Sequence, residues 1–501
     1  MTIASRSVIR NVATGVPGLD LVLGGGLCEY SFNLIAGPPG TGKTTLAQQI
    51  IFANATAEHP ALYFTVLGEP TVKMIRYQQE FAFFDPAKVP AAIRYVNLSA
   101  EVVNGDPGDV LARIESEVTK REPAFVVVDS FRTVDVHLKN GDGDGGLMLS
   151  GLLQRLAQYL TSWEATSFLV SEYSEGDRGL PVFSIADSIL WLSEEVDRSS
   201  AVRMLRAVKI RGRSPMSGLH PFRITQRGLE VFPRIPAQPR NRVAHSRRRL
   251  HTGVPGLDEM MGGGIPEGDV VMLTGPAGSG KTTFAEQFVA QGLVEGTNCV
   301  VAVFEEYPTV YFARAKSGLV DFAQMIAEKR LAVLYLRPMT LSVDEMLVEF
   351  VNVVRQIDAK RVVIDSLSGF ELALAPAFRR DFSESLYRLV GALTASGVTV
   401  LMTAEVTEAF PRIRFANEGV AFVTDDILAQ QFVEIDGRFE KVLAIVKMRG
   451  SEHSTDIRLY ELTSSGGVIG KPLRGYRGIT TGVPTRDERY STLGNDRGDD
   501  E

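Results

Sequence analysis

This chain repeats itself at a fixed interval, and the repeat narrows the possible folds more than any other feature. Thr14-Gly15-Val16-Pro17-Gly18-Leu19-Asp20 returns as Thr252-Gly253-Val254-Pro255-Gly256-Leu257-Asp258. Lys209-Ile210-Arg211-Gly212 returns as Lys447-Met448-Arg449-Gly450, and the glycine-rich stretch from Gly37 to Thr44 returns at Gly275 to Thr282. All three blocks move by 238 residues (14 to 252, 209 to 447, 37 to 275). A fourth, Phe125-Val126-Val127-Val128-Asp129-Ser130, returns as Arg361-Val362-Val363-Ile364-Asp365-Ser366 after 236 residues (129 to 365), which fits a small length change upstream. Several blocks keeping one offset predict a tandem duplication, so each half must fold as a complete domain.

The twice-occurring glycine stretch reads glycine, four residues, glycine, lysine, threonine, the pattern of a phosphate-cradling loop. An apolar run precedes each copy (Phe32 to Ala36, Val270 to Leu273) and a helix-like stretch follows it (Thr45 to Ala53, Thr283 to Ala290). Short β-branched runs then alternate with helical segments such as Leu147 to Trp163 and Asp381 to Ala395. That alternation predicts an α/β fold, two tandem P-loop domains, each a mostly parallel sheet flanked by helices, with active residues at the carboxyl ends of strands. The expected boundaries are a first domain at 1–233, a basic linker at 234–249, a second domain at 250–485 and an acidic, disordered tail at 486–501. The linker holds six arginines and no acid; it reads as a solvated connection, with a phosphate-binding strip for nucleic acid as the alternative. The net charge of -7 argues against a wholly basic nucleic-acid coat. Two cysteines, Cys28 and Cys299, make no disulfide framework and fit a reducing cytoplasm, and no apolar run is long enough for export or membrane spanning.

The loops assign the phosphate-binding residues: Gly37, Gly40, Thr41, Gly42, Lys43, Thr44 and Thr45 in the first half, and Gly275, Gly278, Ser279, Gly280, Lys281, Thr282 and Thr283 in the second. The lysine reaches the outer phosphates of ATP and the first threonine hydroxyl reaches Mg²⁺. Asp129 and Asp365, each closing an apolar strand, are expected to hold the same Mg²⁺ with Thr44 and Thr282, unless they only cap a following helix. In the second half the next strand runs into Glu305-Glu306, where a carboxylate can take a proton from an attacking water; a solvated loop pair is the alternative. At the equivalent places the first half has Leu67 and Gly68, with Glu69 one residue further on. Lysine alternates with arginine at Lys209 and Arg211, and at Lys447 and Arg449. Either these line a solvated strand edge or, lacking an evident partner in their own half, they serve the phosphates of a neighbouring subunit.

Together these features resemble the KaiC family within the RecA-like P-loop class, over almost the whole chain from Thr14 to about Thr485. The resemblance is carried by the paired TGVPGLD segments, GPPGTGKTT and GPAGSGKTT, FEE at Phe304 to Glu306, IDSLSG at Ile364 to Gly369, and KIRG with KMRG. It implies ATP bound between subunits of a double-ring homohexamer, catalytic Glu305 and Glu306, trans contacts from Lys447 and Arg449, and KaiB-like or signalling protein partners. Two departures stand out. The family's first domain carries its own glutamate pair, replaced here by Leu67 and Gly68. Its second domain autophosphorylates an adjacent serine and threonine whose places are Ala421 and Phe422 here, so a serine/threonine autokinase needs another hydroxyl, with Thr424 the nearest in sequence. The expected function is a clock-type or signalling ATPase hydrolysing mainly in the second domain. Alternatives are that autokinase, a RecA/RadA-like DNA-dependent ATPase and a nucleotide-gated scaffold.

Overall fold

The computed structural model describes residues 10–66, 71–103, 107–131, 145–197, 200–234, 248–313, 318–335, 342–374, 382–406, 423–479 and 484–486. The chain divides into two compact units, Met1–Arg234 and Ile235–Glu501. Among the described residues no helix is long and apolar enough to cross a membrane.

Nine strands build the sheet of the first unit: β1 (Phe32–Gly37), β2 (Ala61–Thr65), β3 (Ile93–Asn97), β4 (Phe125–Asp129), β5 (Thr166–Glu172), β6 (Ser188–Asp197), β7 (Ser200–Ile210), β8 (His220–Thr225) and β9 (Gly228–Val231). They lie in the order β9-β8-β7-β6-β1-β5-β4-β2-β3. From β3 across to β6 every pairing is parallel, and β7 to β9 continue antiparallel. The second unit repeats this with β10 (Val270–Gly275), β11 (Asn298–Val303), β12 (Leu331–Tyr335), β13 (Ala359–Asp365), β14 (Thr399–Glu405), β15 (Asp426–Ile435), β16 (Arg438–Met448), β17 (Arg458–Thr463) and β18 (Gly466–Pro472). Its order is β12-β11-β13-β14-β10-β15-β16-β17-β18, the same arrangement strand for strand.

The parallel strands are apolar on both faces because helices cover both faces. Along β1, Phe32, Leu34 and Ala36 enter one core while Ile35 enters the other. Val270 and Met272 of β10 likewise part from Val271 and Leu273. Helix α1 (Lys43–Asn54) follows the first phosphate loop and buries Leu46, Ile50 and Ile51 in the core that receives Ile35. Helices α2 (Pro107–Arg121) and α3 (Gly145–Ser162) cover the other face. In the second unit α4 (Lys281–Val294) takes the place of α1, and α5 (Val343–Gln356) and α6 (Phe382–Ala395) cover the far face.

The TGVPGLD segment turns out to be a fastener. Thr14 donates through its amide and hydroxyl to Asp20 at 2.9 and 2.7 Å, closing the loop, and the Val231 amide of β9 donates to the Pro17 carbonyl at 2.9 Å. Gly18 sits at φ 78°, and a Cβ there would run into the Val231 carbonyl, so the loop can lie against β9 only with glycine. Thr252, Asp258, Pro255 and Ile469 repeat the arrangement in the second unit. A buried amide adds the second tie. Gln49 on α1 donates to and accepts from the Leu229 backbone and also donates to the Gly15 carbonyl, and Gln287 on α4 does the same with Gly467 and Gly253. Satisfied in this way, each amide pins the helix behind the phosphate loop to the last hairpin of its own domain.

Candidate nucleotide sites

Each phosphate loop leaves the carboxyl end of a central parallel strand and enters a helix whose first turn has no side-chain cap. The orphan amides and the positive end of the helix dipole therefore remain available to an anion. Gly40 and Gly278 both lie at φ 76°, and a Cβ at either would meet nothing within 4 Å, so the concave side of each loop is open. The lysines fold back over their own loops. Lys43 Nζ donates to the Pro38 carbonyl at 2.7 Å, and Lys281 Nζ to the carbonyls of Gly275 and Pro276, both at 2.9 Å. Thr41 donates to the Pro38 carbonyl at 2.9 Å and Ser279 to Gln430 Oε1 at 2.9 Å, each bracing its loop. Thr45 and Thr283 follow in the first helical turn.

The carboxylates gather where the strand order requires. In the first half Thr44 Oγ1 donates to Asp129 Oδ2 at 2.8 Å, and Tyr63 OH donates to the same oxygen at 2.7 Å. Burial holds the Asp129 carboxyl above its ordinary value, with the Tyr63 and Thr44 hydrogen bonds and the Lys43 charge opposing only part of that rise. In the second half Asp365 accepts from Tyr311 at Oδ2 (3.1 Å) and from Thr403 at Oδ1 (2.5 Å), and Thr282 does not hydrogen-bond to it. Glu305 accepts from Ser366 Oγ at 3.2 Å, one residue past Asp365. Burial lowers the Lys281 ammonium, and Glu405, Asp365 and Glu305 oppose that effect, so three carboxylates face one lysine. Glu306 is half-buried beside Glu305. Leu67, Gly68 and Glu69 lie outside the described residues, as do Ala421 and Phe422.

Two acids were missed in the sequence. Glu172 closes β5 in register with Gly37, and Glu405 closes β14 in register with Gly275. An acid at the end of an apolar strand was the available signal, the same one that singled out Asp129. Thr424 is fully buried, and its carbonyl accepts from Lys447 Nζ at 2.6 Å, so it presents no accessible hydroxyl in this conformation.

The expectation that the lysine and arginine pairs lack partners in their own half is wrong. Lys209 donates to the carbonyls of Phe183 and Ser184, and Arg211 pairs with Asp187 at 2.8 Å. Lys447 holds the Thr424 carbonyl, and Arg449 lies 3.6 Å from Asp425. The physical reason is the antiparallel hairpin, which returns each pair to the edge of the sheet where the parallel strands begin. Lys209 pairs with Ile189, which is level with Leu34, three residues short of Gly37 and so about 10 Å below it along the strand. Lys447, level with Met272 through Ile427, is offset from Gly275 in the same way. Neither pair stands beside the phosphate loop of its own half.

Magnesium takes one or two protein oxygens together with phosphate and water oxygens. The adjacent Thr44 hydroxyl and Asp129 carboxylate supply such a set, and among the described residues no cluster of three or more His, Cys, Asp or Glu offers a richer one. A family model described as KaiC ATPase matches residues 12–235 and again 250–474. The circadian clock protein KaiC3 of Synechocystis sp. is 28% identical over 497 residues, covering 95% of each chain. The circadian clock oscillator protein KaiC of Rippkaea orientalis is 27% identical over 492 residues, 95% of this chain and 92% of its own. That of Synechococcus elongatus is 26% identical over 494 residues, 96% and 93%. With two RecA-like α/β units, a phosphate loop in each and the family model matched twice, this chain belongs to the KaiC family of ATPases.

Proposed function

We propose that the protein is a ring-forming signalling or clock-type ATPase in which the second half hydrolyses ATP and the first half holds it. One observation carries this reading. Glu305 lies beside Ser366 and within electrostatic reach of Lys281, whereas the shift of 238 puts Leu67 and Gly68 at the places of the glutamate pair. In the second half the Glu305 or Glu306 carboxylate takes the proton of the attacking water as Lys281 and the loop amides bind the outer phosphates. Thr282 and Asp365 would hold Mg²⁺, which supplies neutralising charge between the phosphates. In the first half Thr44, Asp129 and Lys43 make the equivalent binding set without a base at Leu67 or Gly68.

Ring formation rests on where the cations lie. Lys209 with Arg211 and Lys447 with Arg449 stand at the opposite sheet edge from their own loops, so a phosphate they serve belongs to another subunit. A homohexamer is the assembly this reading favours, with KaiB-like or signalling proteins as partners. The functional units are the domains 1–233 and 250–485.

General-base assistance is worth about 10²–10⁴-fold. Changing Glu305→Gln and Glu306→Gln together should lower turnover by about that factor and leave ATP binding intact. Retention of more than about half the wild-type rate would refute the assignment.

A further inference from the structure

The two halves place the same hydrogen bond on the same carboxylate from unrelated positions. Tyr63 reaches Asp129 Oδ2 from inside β2, while Tyr311 reaches Asp365 Oδ2 from the short helix Pro308–Ala313, beyond the glutamate pair. A shift of 238 carries Tyr63 to Val301 and brings Tyr311 back to Lys73. Val301 has no hydroxyl, and the Lys73 ammonium lies over the Tyr77 ring. Common descent of the halves therefore does not account for two phenols on the two matching carboxylates. A shared need of the carboxylate does.

We propose that Tyr63 and Tyr311 are positioning residues, each fixing the orientation of the carboxylate that holds the divalent cation of its half. A carboxylate turns easily about its own axis, and a phenol locked by packing selects one orientation. Tyr63 is fully buried with its ring 5.3 Å from that of Tyr95, and Tyr311 is 4% exposed, so neither hydroxyl has much freedom. In the first half Tyr63 and Thr44 share Oδ2, and no described residue donates to Oδ1. That oxygen is the one left for a hard cation. Removing an outer hydrogen-bond partner of a metal ligand typically costs about 10–100-fold in metal affinity, and the tyrosines should carry an effect of that order.

The inference rests on reading Asp129 and Asp365 as the magnesium-holding carboxylates, so its test separates the two. In full-length protein with Lys281→Ala, which leaves the first site to report, retention of a fluorescent ATP analogue is followed against Mg²⁺ concentration, and its binding in EDTA is recorded. Tyr63→Phe should raise the Mg²⁺ midpoint by about 10-fold or more and leave binding in EDTA unchanged, a split that a general packing defect would not produce. Asp129→Asn should abolish the Mg²⁺ dependence. If Asp129→Asn has no effect, the metal reading itself fails. If Asp129→Asn acts while Tyr63→Phe stays within about twofold of its parent, the positioning role is overturned. Tyr311→Phe in a Lys43→Ala background applies the same criterion to the second site, and decides the question should Tyr63→Phe prove unable to fold.

Discussion

Asp426 offers a prediction whose size can be worked from the structure. It opens β15, is fully buried, and neither carboxylate oxygen has a hydrogen-bond partner among the described residues. Burial first, then the charges of Asp269 and Asp425, push it up to about 8, so it carries a proton at neutral pH. The first half has Ser31 and Ser188 where the second has Asp269 and Asp426, so the charge problem is peculiar to the second unit. Between the ordinary carboxyl value of 3.8 and about 8, the folded form holds a proton that the unfolded form has lost. The contribution of Asp426 to stability is therefore full below about pH 4, falls as pH climbs to about 8 and is level beyond. At about 1.36 kcal/mol per pH unit the effect is bounded near about 6 kcal/mol, of which the span from pH 5 to about 8 holds about 4 kcal/mol. Asp426→Asn supplies a neutral side chain of the same shape and removes the slope. Thermal unfolding followed from pH 5 to pH 9 should show the variant gaining on the wild type as pH rises, by up to about 8–16 °C at roughly 2–4 °C per kcal/mol. Parallel wild-type and variant curves would refute the reasoning.

Two further outcomes follow from particular contacts. Sizing chromatography at micromolar protein should show a ring with Mg²⁺-ATP and smaller species without it, and Lys447→Ala with Arg449→Ala should weaken the ring; a monomer under both conditions would contradict the trans reading. Arg361 is fully buried, donates to the His251 and Phe288 carbonyls, pairs with Glu295 at 2.6 Å and stacks on the Phe288 ring. Arg361→Ala should therefore cost the second unit about 3 kcal/mol or more, read as a lowered second-unit melting transition with the first unit unchanged.

What the sequence showed and what it hid divide along physical lines. Phosphate loops are legible because glycine spacing is itself the chemistry, and Asp129 and Asp365 because a buried strand ending in an acid breaks the apolar pattern. The alternation gave the fold class and the repeat showed that both halves share it, while the strand order came only with the structure. Tyr63 was invisible because a tyrosine inside an apolar strand reads as core, and Tyr311 because its partner lies 54 residues away in sequence. The own-half partners of Lys209 and Lys447 were hidden for a different reason. Their alternation was plain, but only the direction of the hairpin strand decides which sheet edge they reach, and the carbonyls that hold them, Phe183 and Ser184 in the short helix Pro181–Ile185 and Thr424 just before β15, carry no spacing signal. TGVPGLD was read as evidence of duplication, while its work as a fastener depends on β9 and β18, the last strands of the two nine-stranded sheets.

The account turns on the first half holding ATP without splitting it, and the chemical identity of the nucleotide bound there is the most direct measurement. Lys281→Ala disables the second phosphate loop and leaves Lys43, Thr44 and Asp129 untouched. After incubation with excess Mg²⁺-ATP and rapid removal of free nucleotide, the variant should yield ATP on extraction and show almost no sustained turnover. Recovery of mainly ADP, with turnover near the wild-type rate, would contradict the account and make Glu69 the residue to test.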